Sequence, residues 1–306
     1  MSGIFELSTQ MDLEVVIVNY NTKERLEACL QSVFKSTNKY TFGVSVVDNA
    51  STDGSQGLVK NFITEGHKSL KFFELDQNRG FTGGNNVALK ETSADFVLLL
   101  NPDTVVLENT FEVVLDYMKS NPDVGIAGCK VLKPEGSLDL ACRRKFPDPV
   151  NSFFRVTGLS LLFPKNRIIS GYNLTHLPVN EVTEVDSVMG AFLMINREVM
   201  NKIGLLDERF FMYGEDLDWC WRVKEAGYKV MYYPKTSIVH YKGSASKKAS
   251  TRSLYEFHRA MALFFDKHYK NKYLFLTRRL VYLGIWTRFA ILYSINFFRK
   301  EKVVSK

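Results

Sequence analysis

Alternating strand and helix patterns predict an α/β protein: a mostly parallel sheet with helices on both faces, followed by a helical C-terminal extension. Three observations carry this. Short apolar runs rich in β-branched residues recur up to residue 131, amphipathic stretches of helical period separate them, and a long apolar, aromatic stretch lies near the C-terminus.

The elements follow in order. Residues 1–12 read as a loose lead-in, without the basic start or long apolar run of a signal peptide. Glu14–Asn19 (EVVIVN) reads as a buried strand. Lys23–Ser36 carries Leu26, Leu30, Val33 and Phe34 on one helical stripe. Val44–Asp48 is the next strand, Ser55–Phe62 a short helix, and Lys71–Leu75 a third strand. Gly84–Glu91 reads as helix and Asp95–Leu100 (DFVLLL) as a fourth strand. Phe111–Lys119 is amphipathic, and a strand lies around Val124–Val131. Such alternation implies right-handed crossovers in a doubly wound sheet. Residues 133–181 have weak periodicity and read as a loop-rich insertion. A strand around Val185–Ile195, a helix around Arg197–Ile203 and a helix over Gly214–Gly227 come next, the last with an acidic start and a glycine stop. YKVMYYP and SIVHY read as two further short strands.

Composition narrows the class. The 306 residues suffice for a sizeable core. Lys and Arg number 40 against 33 Asp and Glu, a net charge of +7 that suits polyanionic partners such as diphosphates or an anionic membrane. Cys29, Cys129, Cys142 and Cys220 have no metal-knuckle or redox spacing; Cys29 and Cys129 sit in apolar segments and read as buried free thiols, fitting a reducing compartment.

Four strands end in polar clusters, and in an open parallel sheet ligands bind at those carboxyl ends. The first ends in Asn19, Tyr20 and Asn21. The second ends in Asp48, Asn49, Ser51 and Asp53. The third is followed by Asn78, Arg79 and Gly80, and the fourth ends in Asn101, Pro102 and Asp103. Each cluster alone could be turn chemistry; four on one rim point to a shared site. Asp48 can accept hydrogen bonds from a base N–H, while Ser51 and Asp53 can cap the following helix. In NRGFTGGNN the glycines permit close backbone approach, and Arg79 offers a charge for a phosphate. The glycine spacing is not the dinucleotide fingerprint and follows the third strand, which argues against a nicotinamide enzyme. Asp103, just beyond a buried strand, could hold a divalent cation bridging two phosphates, and Asn101 could bond to ribose or to a metal-bound water. In YGEDLDWCWR, Glu215, Asp216 and Asp218 crowd a helix start whose dipole favours carboxylates. Trp219 and Trp221 beside them could be a sugar or base platform or core residues.

Together, VNYN, VVDNASTDGS, NRGFTGGNN, LLLNPDT, GAFLMINREV, GLLDERFFMYGEDLDWCWR and HYKGSAS resemble the family 2 inverting glycosyltransferases of GT-A fold, most closely their rhamnosyltransferase-like branch. The matching stretches run in order over Val15–Ser246. The resemblance implies that Asp48 recognises the nucleobase with Asn19 and Asn49 nearby, and that Asn78 and Gly80 line the nucleotide pocket. Asp103 matches the last carboxylate of a metal-binding D-x-D element whose first position is Asn101 here. Asp216 matches the catalytic base, with Glu215 and Trp219 next to it as an acceptor or sugar platform. His240 matches a late histidine that binds the metal or the diphosphate. It further implies a GT-A domain over 13–248, with a nucleotide-binding half to about 132 and an acceptor half to 248, and a C-terminal helical region over 249–306.

The implied reaction is transfer of a sugar, L-rhamnose from thymidine-diphosphate-rhamnose first, from a nucleoside diphosphate to a saccharide or lipid-linked acceptor, with Mg²⁺ or Mn²⁺ near Asp103. A UDP-hexose donor, and a non-catalytic nucleotide-sugar-binding protein, are the alternatives; nucleic acid is not expected as a partner, and an oligomer stays open. Leu280–Phe298 is apolar and aromatic between Arg278, Arg279 and Arg299, Lys300, Lys302, with Arg288 near its middle. Gly284, Thr287, Arg288 and Ser294 form a narrow polar helical face. Residues 273–302 are therefore expected to lie in a membrane interface, making this a cytoplasmic enzyme peripheral to the inner face of the cell membrane. The competing expectation is a terminal helix pair packed on the enzyme's core or on a second subunit.

Overall fold

The computed structural model describes residues 11–36, 39–242 and 250–299. The lead-in up to residue 10, the boundary at residue 248 and the basic flank from residue 300 onward lie outside them. The chain runs β1 (Leu13–Asn19), α1 (Lys23–Lys35), β2 (Phe42–Asp48), α2 (Ser55–Thr64), β3 (Leu70–Glu74), α3 (Gly80–Glu91), β4 (Phe96–Leu100), β5 (Thr104–Val106), α4 (Thr110–Ser120) and β6 (Val124–Leu132). The insertion supplies β7 (Arg143–Arg144), α5 (Pro149–Val156) and α6 (Leu159–Leu162), and β8 (Thr183–Glu184) and β9 (Ser187–Val188) follow it. Then come β10 (Phe192–Asn196), α7 (Arg197–Ile203), α8 (Glu215–Glu225), β11 (Lys229–His240), α9 (Ser250–His268) and α10 (Phe275–Phe297).

The main sheet has the order β3-β2-β1-β4-β10-β6-β11-β5, with β8 on β11. β1 and β4 are buried at every position, as expected for strands covered on both faces. The chain winds outward from β1 through β2 to β3 and then crosses back to β4. The crevice at the carboxyl ends of β1 and β4 is thus the switch point where α/β sheets bind ligands. Helix α4 shows how periodicity becomes packing. Phe111, Val114, Leu115 and Met118 fall on one face and are buried, each worth about 1.5–3 kcal/mol by removal from water.

The sheet is more mixed than the sequence pattern suggests. β10 lies antiparallel between β4 and β6, and β5 antiparallel beside β11. The strand expected over Val185–Ile195 is divided into β9 and β10, and the two short strands expected near the end fuse into β11, with a register irregularity between Tyr233 and Ser237. Helix α3 begins at Gly80, four residues earlier than expected, so FTGGNN forms its first turns. All four cysteines are buried free thiols.

A second apolar cluster joins the extension to the sheet domain. Phe210, Leu217 and Trp221 meet Ala260, Phe264, Phe265 and Tyr269 of α9 and the turn after it. Asp218 ties the same joint with ion pairs to Arg222, Lys267 and His268. Helix α10 lies along α9. Arg288, expected among small polar residues on one face, turns inward instead: its Nη1 lies 2.9 Å from Nε2 of His258.

Candidate active site

The carboxyl ends of β1 and β2 are locked together. Asn19 donates through Nδ2 to Asp48 Oδ1 at 2.9 Å and to Ser51 Oγ at 3.0 Å. Asp48 Oδ2 accepts from the Ser51 amide at 2.8 Å and from Gln56 Nε2 at 2.9 Å. Asn49 stitches this pair to the loop before α3: its Oδ1 accepts from the Arg79 amide, and its Nδ2 donates to Asn78 Oδ1 and the Gly80 carbonyl. Asn19, Asp48 and Asn49 are all buried. Asn21 and Ala50 sit at φ 54° and 62°, a left-handed backbone uncommon for residues other than glycine and recurrent at functional turns.

Gly80 packs against the protein itself: a Cβ there would come within 2.2 Å of the Phe211 carbonyl oxygen, and its φ is +75°. One expectation needs correction here. Trp219 was expected as a platform beside the acceptor. It is fully buried, its indole N–H donating to the Gly204 carbonyl at 3.0 Å, so it presents no face to a ligand. Arg79 is exposed at the N-cap of α3, where a phosphate could reach it.

Asp103 and His240 meet where β4 and β11 end. His240 Nε2 lies 3.1 Å from Asp103 Oδ1 and 3.3 Å from Asn101 Nδ2. On the other side of the ring, Nδ1 is buried without a hydrogen-bond partner, 4.0 Å from Asp139 Oδ2. Asp139 is itself ion-paired with Lys242. Among the described residues there is no group of three or more metal-ligating side chains. A hard divalent cation suits this donor set, in which Asp103 and His240 would hold it. The convergence of Asp103 Oδ1 and His240 Nε2 is the observation that supports the fit.

Like Asp48, Asp216 accepts three hydrogen bonds. Its Oδ2 accepts from Arg144 Nη2 at 2.7 Å and from the Gly190 amide at 3.1 Å; its Oδ1 accepts from the Leu217 amide at 2.7 Å. Arg144 also donates to the Val188 carbonyl. Burial alone would pull the Arg144 guanidinium down, but the Asp216 charge outweighs it and holds the group above its ordinary range. Glu215, the next residue, has the opposite environment. Burial, then repulsion from Asp216, pushes its carboxyl up to about 8, and its Oε2 is buried with no hydrogen-bond partner. The helix start therefore holds an ion-paired carboxylate beside one whose burial favours its proton. Tyr213 and Gly214, both in the left-handed region, set the turn that aims them.

Sequence reasoning passed over Arg144. The insertion has no periodicity, and a pair of arginines reads as surface charge; the only hint was that a buried carboxylate needs a cation from somewhere.

The sequence matches Glycosyl transferase family 2 over residues 14–204. It is 26% identical over 269 residues to the N-acetylglucosaminyl-diphospho-decaprenol L-rhamnosyltransferase of Mycobacterium tuberculosis, covering 84% of this chain and 85% of that one. It is 26% identical over 234 residues to the low-salt glycan biosynthesis hexosyltransferase Agl10 of Haloferax volcanii, covering 75% and 67%. Its fold resembles the mannosyltransferase PcManGT from Pyrobaculum calidifontis, solved with GDP-Man and Mn²⁺, with a TM-score of 0.57 at 18% identity; the alignment covers 85% of this chain but 64% of that one. The sheet order, the polar rim and the sequence match converge: the chain belongs to glycosyl transferase family 2 and is a glycosyltransferase with a GT-A-like fold.

Proposed function

We propose that this enzyme transfers a hexose, with L-rhamnose from thymidine-diphosphate-rhamnose as the leading donor, to a saccharide or lipid-linked acceptor in cell-surface polysaccharide synthesis. The observation that carries the reading is the carboxylate pair at the start of α8: Asp216 is ion-paired with Arg144, and Glu215 is buried with no partner at Oε2. Asp216 takes the proton of the acceptor hydroxyl as its oxygen bonds to the anomeric carbon. The bond from that carbon to the diphosphate oxygen breaks on the opposite side, so the centre inverts. A base of this kind contributes roughly 10²–10⁴ in rate. Glu215, holding its proton, donates a hydrogen bond to a sugar hydroxyl.

The nucleotide lies over the β1–β4 crevice. Gln56 Nε2 occupies the face of Asp48 that an imide N–H of a base would use, so the base displaces the Gln56 amide to reach Asp48. Arg79 faces the diphosphate. Asp103 and His240 would hold Mg²⁺ or Mn²⁺, which would supply positive charge beside the leaving diphosphate. The similarity to a rhamnosyltransferase supports the donor, and a UDP-hexose is the alternative the test must separate. The outer face of α10 touches the membrane that carries a lipid-linked acceptor: the helix is long and apolar enough to cross a bilayer, with 11% of its most apolar window buried. Thermal-shift screening of sugar nucleotides, followed by mass analysis of transfer products, tests the reading. Stabilisation by thymidine-diphosphate-rhamnose above UDP-hexoses, with a rhamnosylated product, is expected; preference for a UDP-hexose moves the donor assignment.

A further inference from the structure

Residues 149–168 of the insertion carry a second exposed apolar surface. Phe153 on α5 is 58% exposed, and Leu161 and Leu162 at the end of α6 are 77% and 73% exposed. On α10, Leu276, Leu283 and Phe297 are exposed as well. The two surfaces are neighbours. Phe146, just ahead of α5, and Val281 and Tyr282 of α10 pack against the same apolar cluster of Trp221 and Phe264.

Charge distinguishes this region from the rest of the molecule. The chain has 33 Asp and Glu, yet none falls in residues 149–180 or 267–300. The same stretches contain Arg155, Lys165, Arg167, Lys270, Lys272, Arg278, Arg279 and Arg299. The nearest carboxylates at the borders are already engaged, Asp148 in the cap of α5 and Asp266 by the Tyr282 hydroxyl. Exposed apolar side chains with cations in the same stretches complement an anionic lipid surface: the apolar groups enter the acyl boundary and the cations meet headgroups. Arg288, the cation at the middle of α10, is turned inward onto His258, while Arg278 and Arg279 lie near its start.

We propose that α5–α6 and the outer face of α10 form one two-part docking face for an anionic lipid bilayer, with the insertion as an anchor in its own right. The proposal rests on the α10 membrane contact proposed above and adds a second, separable element. The insertion also supplies Arg144 to Asp216, so an anchored insertion would hold the catalytic carboxylate at a fixed height over the bilayer.

The test uses the full chain with vesicles of phosphatidylcholine alone or mixed with phosphatidylglycerol. Three proteins are floated: wild type, Phe153→Glu/Leu161→Glu/Leu162→Glu, and Leu276→Glu/Leu283→Glu/Phe297→Glu. All six positions are exposed, and an unchanged melting midpoint verifies the fold; Leu161→Glu alone serves if the insertion triple melts early. Wild type is expected to float with the anionic vesicles only, and each triple to lose at least about tenfold in bound fraction. Full flotation of the insertion triple, with loss in the α10 triple, overturns the two-part face while leaving the α10 contact standing. Equal flotation on neutral and anionic vesicles overturns the charge argument. No flotation of wild type, with dimers that either triple dissociates, gives the face to a second copy. None of these outcomes touches the transfer reaction, which is read separately.

Discussion

Arg144 and Asp216, 72 residues apart in the chain, form a buried ion pair with Nη2 2.7 Å from Oδ2. The pair fastens the insertion to α8 and leaves Oδ1 as the less engaged oxygen of the carboxylate, with only the Leu217 amide on it. Arg144→Met is expected to lower kcat by about 10²-fold or more, because the base loses its orientation. It should also cost about 3–5 kcal/mol of stability by leaving a buried charge unpaired. Arg144→Lys should recover part of both, while donor affinity stays within a few-fold. Steady-state kinetics, donor titration and melting curves on the two variants check this; unchanged kcat in Arg144→Met would make the pair purely structural.

Metal dependence should reside in Asp103 and His240. Calorimetry of nucleoside diphosphate binding with and without Mn²⁺ is expected to show metal-enhanced affinity in the wild type. That enhancement should be lost in Asp103→Ala and reduced in His240→Ala. Identical titrations in all three proteins would reduce the Asp103–His240 contact to a loop brace.

Glu215 makes a prediction about stability. Its folded carboxyl is pushed up to about 8 from an ordinary value of 4.5. Between those values the folded state holds a proton that the unfolded state has released, so stability falls as pH rises through this window and levels off above it. Glu215→Gln, which cannot ionise, should flatten that slope. Melting curves at pH 5 and pH 8 should place the variant near wild type at the lower pH and above it at the higher, by a margin of ~2–4 kcal/mol. A constant difference at both values would show that Glu215 titrates normally.

Asp48 and Gln56 test the nucleotide face. Asp48→Ala should weaken donor binding about tenfold or more through loss of a charged acceptor, with some destabilisation, since Asn19 and the Ser51 amide lose their partner. Gln56→Ala should leave affinity unchanged or tighten it, because the base no longer displaces an amide. Thermal-shift titration with several nucleotides distinguishes them, and unchanged donor binding in Asp48→Ala removes it from the site.

Strands β1 to β4 were legible as apolar runs between polar turns, and Asn19, Asp48, Asn49 and Asn78 of their carboxyl-end clusters are joined by hydrogen bonds. Strand direction was not legible. FLMIN in β10 has the same apolar character as its parallel neighbours, and only the chain's path through the insertion makes it antiparallel. The three carboxylates of GEDLD looked alike in sequence, yet they divide by partner: Asp216 with Arg144, Asp218 with Lys267 and His268, and Glu215 with none at Oε2. Those partners come from distant elements, so no local pattern could assign them. Trp219 was misread for the same reason, because helical spacing alone does not say which face of α8 meets the core.

The most direct test of the account is mass-detected sugar transfer by wild type and Asp216→Asn, with donor binding measured on the same samples. The amide keeps the shape of the side chain and removes the base. The account predicts that the wild type forms glycosylated acceptor, and that the variant binds donor with near-wild-type affinity but loses transfer by at least about 10²-fold. Transfer at the wild-type rate in Asp216→Asn would contradict it and pass the role of base to Glu215.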